Sequence, residues 1–134
     1  MDINIYILGG LMSTYVVSKA ARDVVAAKFK TSLFKDKNVD WWHTNRSWRN
    51  KYHLGNPNLG ARFFLSTSLL KFTTDAWHMF NAISQWCVVG VLLIALYDDS
   101  YHIVHKIVAF LVMNIFYTLL YDFFYKKYFR RYVR

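Results

Sequence analysis

The chain has 134 residues, of which 55% are hydrophobic and 19% aromatic, and its formal net charge is +9. That hydrophobicity excludes a disordered chain, the length fits one domain, and one Pro with five Gly leaves too few turn residues for an all-β fold. The lone Cys87 excludes an internal disulfide framework, and all eight acidic residues are Asp, with no Glu.

The first element is Ile3–Ser18, uncharged but short for a bilayer crossing of about 20 residues. Lys19 and Arg22 at its end extend its reach by snorkelling. Asp2 stands where a signal peptide needs a basic region, and Ser18-Lys19-Ala20 is a poor cleavage site. The segment therefore reads as a retained anchor. Apolar spacing through Val24, Val25, Ala27, Phe29 and Leu33 continues the helix to about Phe34, and Asp36-Lys37-Asn38 breaks it.

Residues 41–52 interleave Trp41, Trp42, Trp48 and Tyr52 with Arg46, Arg49 and Lys51. With Thr44 as a cap, Arg46, Arg49 and His53 share one face, giving an interfacial helix. Gly55-Asn56-Pro57-Asn58 is a turn, with Asn58 as the next cap.

From Ala61 to Tyr97 the only helix breaker is Gly90. The spacing predicts one long helix, amphipathic over 61–78 at the cytoplasmic interface and membrane-spanning over 79–97. Thr67, Lys71, Thr74, Asp75, His78, Asn81 and Gln85 recur at steps of three and four and form one polar stripe. Lys71 and Asp75 stand at i, i+4 with opposite charge, and His78 one turn on. A third span covers 107–125, with its own stripe of Asn114, Thr118, Tyr121, Asp122 and Tyr125. Such stripes face other helices or a wet cavity.

Residues 19–62 carry ten Lys or Arg against three Asp, and the tail 126–134 carries five more cations. Asp98 and Asp99 mark the link between the second and third spans. Basic segments stay on the cytoplasmic side. Three crossings satisfy every segment: N-terminus outside, 19–62 inside, the Asp98 link outside, the tail inside. The fold class expected is all-α, an integral membrane protein of the cytoplasmic membrane. Its partners are the bilayer, anionic headgroups attracted to the cations, and a second copy of itself; topology already accounts for the charge, so no nucleic acid is invoked.

For chemistry, His102 and His105 at i, i+3, with Asp98 and Asp99 a turn earlier, form the metal candidate, a set suited to Zn or Fe. Absence of Glu weakens a bundle di-iron site. No phosphate-loop, nucleophile-elbow or dinucleotide motif occurs, and no cofactor is expected. Two stretches, Ser47-Trp48-Arg49-Asn50-Lys51-Tyr52 and Ser66–His78, resemble a group of small uncharacterised membrane proteins of bacteria and their phages. The resemblance carries no activity, but it directs attention to Trp48, Arg49, Asn50, Asp75, Trp77 and His78 as one site. The function expected is non-enzymatic, acting through helix association or lipid contact. Alternatives are a membrane enzyme or metal-binding protein using Arg49, Lys71, Asp75 and His78, with Trp48, Asn50 and Trp77 as binding residues, and a holin-like permeabilising protein.

Overall fold

A computed structural model describes residues 3–97 and 103–129, and these are mostly helical with no strand among them. Helix α1 is Ile3–Ala27, α2 Val39–Trp42, α3 Thr44–Ser47, α4 Ala76–Tyr97 and α5 Ile103–Asp122. Phe123–Phe129 continues α5 as a wider π-helical stretch.

The long helices lie side by side. Leu11 meets Gly90, and Arg22 bonds Asn81, so α1 and α4 run antiparallel. Tyr15 packs on Tyr117 and Asp23 on Tyr121, so α1 and α5 run parallel. Small residues make the approach possible: Ala20, Ala21 and Val24 are buried with Phe129, and Val17, Leu33, Phe80 and Tyr121 close around them. Burial of Val24 and Phe129 contributes roughly 1.5–3 kcal/mol each, and the two alanines less, so this cluster anchors one end of the bundle.

That end is capped by residues 28–75. Phe34 ties the cap to the helices by stacking on Trp42 at 4.7 Å and on Phe129 at 5.4 Å, with Phe80 at 6.3 Å. The Leu33 amide also donates to the Phe129 carbonyl at 2.9 Å.

Several expectations are corrected here. Helix α1 ends at Ala27, seven residues short of Phe34, and residues 29–36 form a 3₁₀ turn and bends. There Ser32, fully buried, returns its hydroxyl to the Phe29 carbonyl at 2.8 Å and accepts the Phe34 amide. Helix α3 spans one turn only, and its cap is His43, whose Nδ1 accepts the Asn45 amide at 3.2 Å, not Thr44. Asn56, not Asn58, caps the turn at Pro57.

The amphipathic helix over 61–78 is the largest correction. Residues 61–75 are turns with one 3₁₀ element, and α-helix begins at Ala76. The cause is local: Ser68, Thr73 and Thr74 hydroxyls bond carbonyls three residues back, and Leu65 takes a left-handed φ of 61°. Such side-chain bonds compete with the α-helical pattern. The polar stripe from Thr67 to Gln85 is therefore not one helix face.

Candidate functional site

Asp75 sits at the N-cap of α4 and is 1% exposed. Its Oδ1 accepts the His78 amide at 2.9 Å, and its Oδ2 lies 2.7 Å from His78 Nδ1. A carboxylate only accepts, so the ring proton belongs on Nδ1. The negative charge also lies at the positive end of the helix dipole. Next to it, the Thr74 hydroxyl lies 2.7 Å from the Lys71 carbonyl, its nearer acceptor, and 3.2 Å from Asp75 Oδ2. A histidine oriented by a buried carboxylate is half of a general-base arrangement. Among the described residues, no hydroxyl or thiol donates to its other nitrogen.

Asn50 joins the two resembling stretches. Its amide nitrogen donates to the Thr74 carbonyl at 3.0 Å and to the Asp40 carbonyl at 2.6 Å. Trp77 touches the His78 ring edge-on at 5.0 Å and takes Arg22 over its face at 5.9 Å. The remaining candidates part company. Lys71 is exposed and makes no ion pair with Asp75, whose partner is His78. Arg49 lies over Trp48 at 5.5 Å, and no ion pair joins it to Asp75 among the described residues.

Arg49 instead lines an open hollow of about 470 Å³ with Arg62, His53 and Tyr52. The chain builds it by folding back. Tyr52 and Ala61 form an isolated antiparallel bridge, His53 donates to the Gly60 carbonyl at 3.0 Å, and the Arg62 amide donates to the Lys51 carbonyl at 2.9 Å. Leu54 and Gly55 turn the chain through left-handed φ values of 50° and 71°. Ser66, buried, locks the fold-back: its hydroxyl donates to the Lys51 carbonyl at 2.7 Å and accepts the Arg62 amide at 3.0 Å.

A further polar cluster was not apparent from residue spacing. Asp23 takes the Tyr121 hydroxyl on Oδ2 at 2.7 Å, with Lys19 at 3.5 Å from the same oxygen. Arg22 reaches Oδ1 through Nε and Nη2, both at 2.9 Å, and gives Nη1 to Asn81 at 2.8 Å. Lys19 also lies over the Tyr121 ring, and Tyr117, Tyr121 and Tyr125 stack along α5. Three helices thus share one charged node. Its legible signs were Asn81 and Tyr121, each a member of a polar stripe on its own span. In the stripe of Tyr121, Asp122 pairs with Lys126 on the exposed side.

Asp98, Asp99 and His102 lie outside the described residues, as does the side chain of His105. Among the described residues, no group of three His, Cys or Asp side chains is placed to hold a metal. Cys87 is buried on α4. No family model, curated protein or solved structure matches this chain.

Proposed function

We propose that the protein is a small integral membrane protein with three crossings, its N-terminus outside and its basic cap and tail cytoplasmic, acting without catalysis through helix association and lipid contact. The supporting observation is the surface of α4. Ala76–Ile94 is long and apolar enough to cross a bilayer, yet only 11% of that stretch is buried inside the molecule. The core helix of a water-soluble protein would have most of such a stretch covered. Here Trp86, Val89, Leu92 and Leu93 face outward, as do Leu111, Val112, Ile115 and Leu119 on α5. Contiguous exposed apolar surface of this kind calls for a lipid or protein cover. The 22 residues of α4 extend about 33 Å, against a hydrocarbon core of about 30 Å. Charge asymmetry in the sequence between residues 19–62 and Asp98-Asp99 supports the orientation.

Alkaline extraction and cysteine accessibility test this reading. The chain is expected to stay in the membrane pellet. In a Cys87→Ala background, Asn56→Cys should react with an impermeant maleimide only in inverted vesicles. Release into the supernatant overturns the membrane reading, and labelling of Asn56→Cys from outside intact cells overturns the orientation. Abrupt loss of membrane potential on induction would replace quiet association with permeabilisation.

A further inference from the structure

The hollow on the cap is lined by two arginines and by no acidic residue. Arg49 and Arg62, thirteen positions apart in sequence, are brought to one cavity by the Tyr52–Ala61 bridge, and His53 also lines it. Arg46, by contrast, lies 3.0 Å from Asp40, and what sets Arg49 and Arg62 apart from the other cations of the cap is that they share one cavity. Among the described residues, neither Arg49 nor Arg62 has an ion-pair partner. Like charges held together without a counter-charge favour an anion between them, and a guanidinium fork matches the oxygens of phosphate. The cavity volume falls within the usual range of small-ligand sites.

The surroundings indicate how such an anion is presented. Leu54 lines the hollow and is 84% exposed; Phe64 and Leu69, further along the same segment, are 81% and 75% exposed. Trp48 and Tyr52 stand edge to face at 6.0 Å beside Arg49. Protruding apolar residues, two amphipathic rings and unpaired arginines suit the boundary between headgroups and acyl chains.

We propose that the hollow formed by Arg49, His53 and Arg62 binds a phosphate-bearing anion, presented by the headgroup of an anionic phospholipid in the cytoplasmic leaflet. This rests on the membrane reading above and adds a defined site to it. Arg49 and Arg62 engage the phosphate oxygens, Leu54 lies against the glycerol and first acyl carbons, and Trp48 holds the Arg49 guanidinium by its face. The other anion source with the same chemistry is free phosphate in solution.

The test uses the full chain in detergent, titrated with phosphatidylglycerol, phosphatidylcholine or inorganic phosphate and followed by native mass spectrometry. One phosphatidylglycerol should be retained in preference to phosphatidylcholine. Arg49→Gln with Arg62→Gln should weaken that retention about tenfold or more. Lys37→Gln, an exposed cation outside the hollow, should leave it unchanged. Arg49→Lys with Arg62→Lys should retain part of the affinity, which excludes simple unfolding as the cause of loss. Equal retention by wild type and the double Gln variant, in a chain that resists alkaline extraction, overturns the site while the membrane reading stands. A chain released by alkali overturns the reading beneath it. Binding of inorganic phosphate at concentrations that displace the lipid overturns the lipid source and leaves a soluble phosphate site.

Discussion

The Tyr121 hydroxyl donates to Asp23 Oδ2 at 2.7 Å, and this one bond fastens α5 to α1 at the charged end of the bundle. Because Lys19 and Arg22 share the same carboxylate, Asp23 is the acceptor on which two cations and one hydroxyl depend. Removing a shared acceptor strands its donors, which costs more than removing one donor. Tyr121→Phe should therefore lower stability by about 0.5–1.5 kcal/mol, and Asp23→Ala by more, about 1–3 kcal/mol. The double variant should fall short of the sum, because both changes break the same bond. Thermal unfolding of the detergent-solubilised protein reads all three. Strict additivity would show that the bond carries no energy.

Asp75 and His78 are candidates in the alternative, enzymatic reading, and the geometry makes Asp75 the cap of α4. These roles predict different outcomes. A cap substitution costs about 1 kcal/mol, and a buried one that also orphans a ring N–H costs more. Asp75→Ala should destabilise by about 2 kcal/mol. His78→Ala leaves the bond from the His78 amide to Asp75 in place and should cost less. Far-UV circular dichroism and unfolding midpoints check the order. If His78→Ala is the more damaging change, the pair owes its importance to the ring and not to the cap.

How much was legible follows from which forces act locally. The apolar runs marked α4 and α5 within a few residues, because apolar content is a property of the run itself: spans expected at 79–97 and 107–125 correspond to helices at Ala76–Tyr97 and Ile103–Asp122. Residues 61–75 misled because they lack Gly and Pro between Ala61 and Asp75 and carry apolar residues at helical spacing. The competing signal was chemical: Ser66, Ser68, Thr73 and Thr74 each bond backbone groups, and Thr73-Thr74-Asp75 ahead of an apolar run is a cap sequence. The Asp23 node could not be assembled from the sequence for a different reason. Lys19 and Arg22 lie within four positions of Asp23, but Tyr121 is 98 positions away, and no periodicity reports such a pairing. Arg49 and Arg62 were likewise both visible as charges, but only the fold-back at Leu54 and Gly55 places them in one cavity.

Gly90 is where α1 and α4 approach closely. A Cβ built there would meet Leu11 Cδ1 at 3.0 Å. The obstacle is the far end of a rotatable side chain, so Gly90→Ala should cost little. Gly90→Leu cannot be absorbed the same way, and overpacking of this kind costs about 1–3 kcal/mol. Leu11→Ala in the Gly90→Leu background should recover part of that loss by vacating the space. A melting series over wild type, Leu11→Ala, Gly90→Leu and the double variant measures the coupling. No recovery would place the clash somewhere other than against Leu11.

Ser66 tests whether the cap is one locked unit. Its buried hydroxyl gives its proton to the Lys51 carbonyl at 2.7 Å and takes the Arg62 amide at 3.0 Å and the Phe63 amide at 3.4 Å. Ser66→Ala removes that crosspoint while preserving volume to within one oxygen, so packing changes little and the hydrogen-bond term dominates. Stranding these groups costs about 1–3 kcal/mol, and the loss should stay local, since the helices make none of these bonds. Hydrogen exchange should accelerate at Arg62 and Phe63 and remain unchanged over Val16–Val25. Uniform acceleration across both regions would show instead that the cap and the bundle unfold as one cooperative unit. The Arg49–Arg62 hollow depends on the same crosspoint, so Ser66→Ala should also weaken anion retention with both arginines still present.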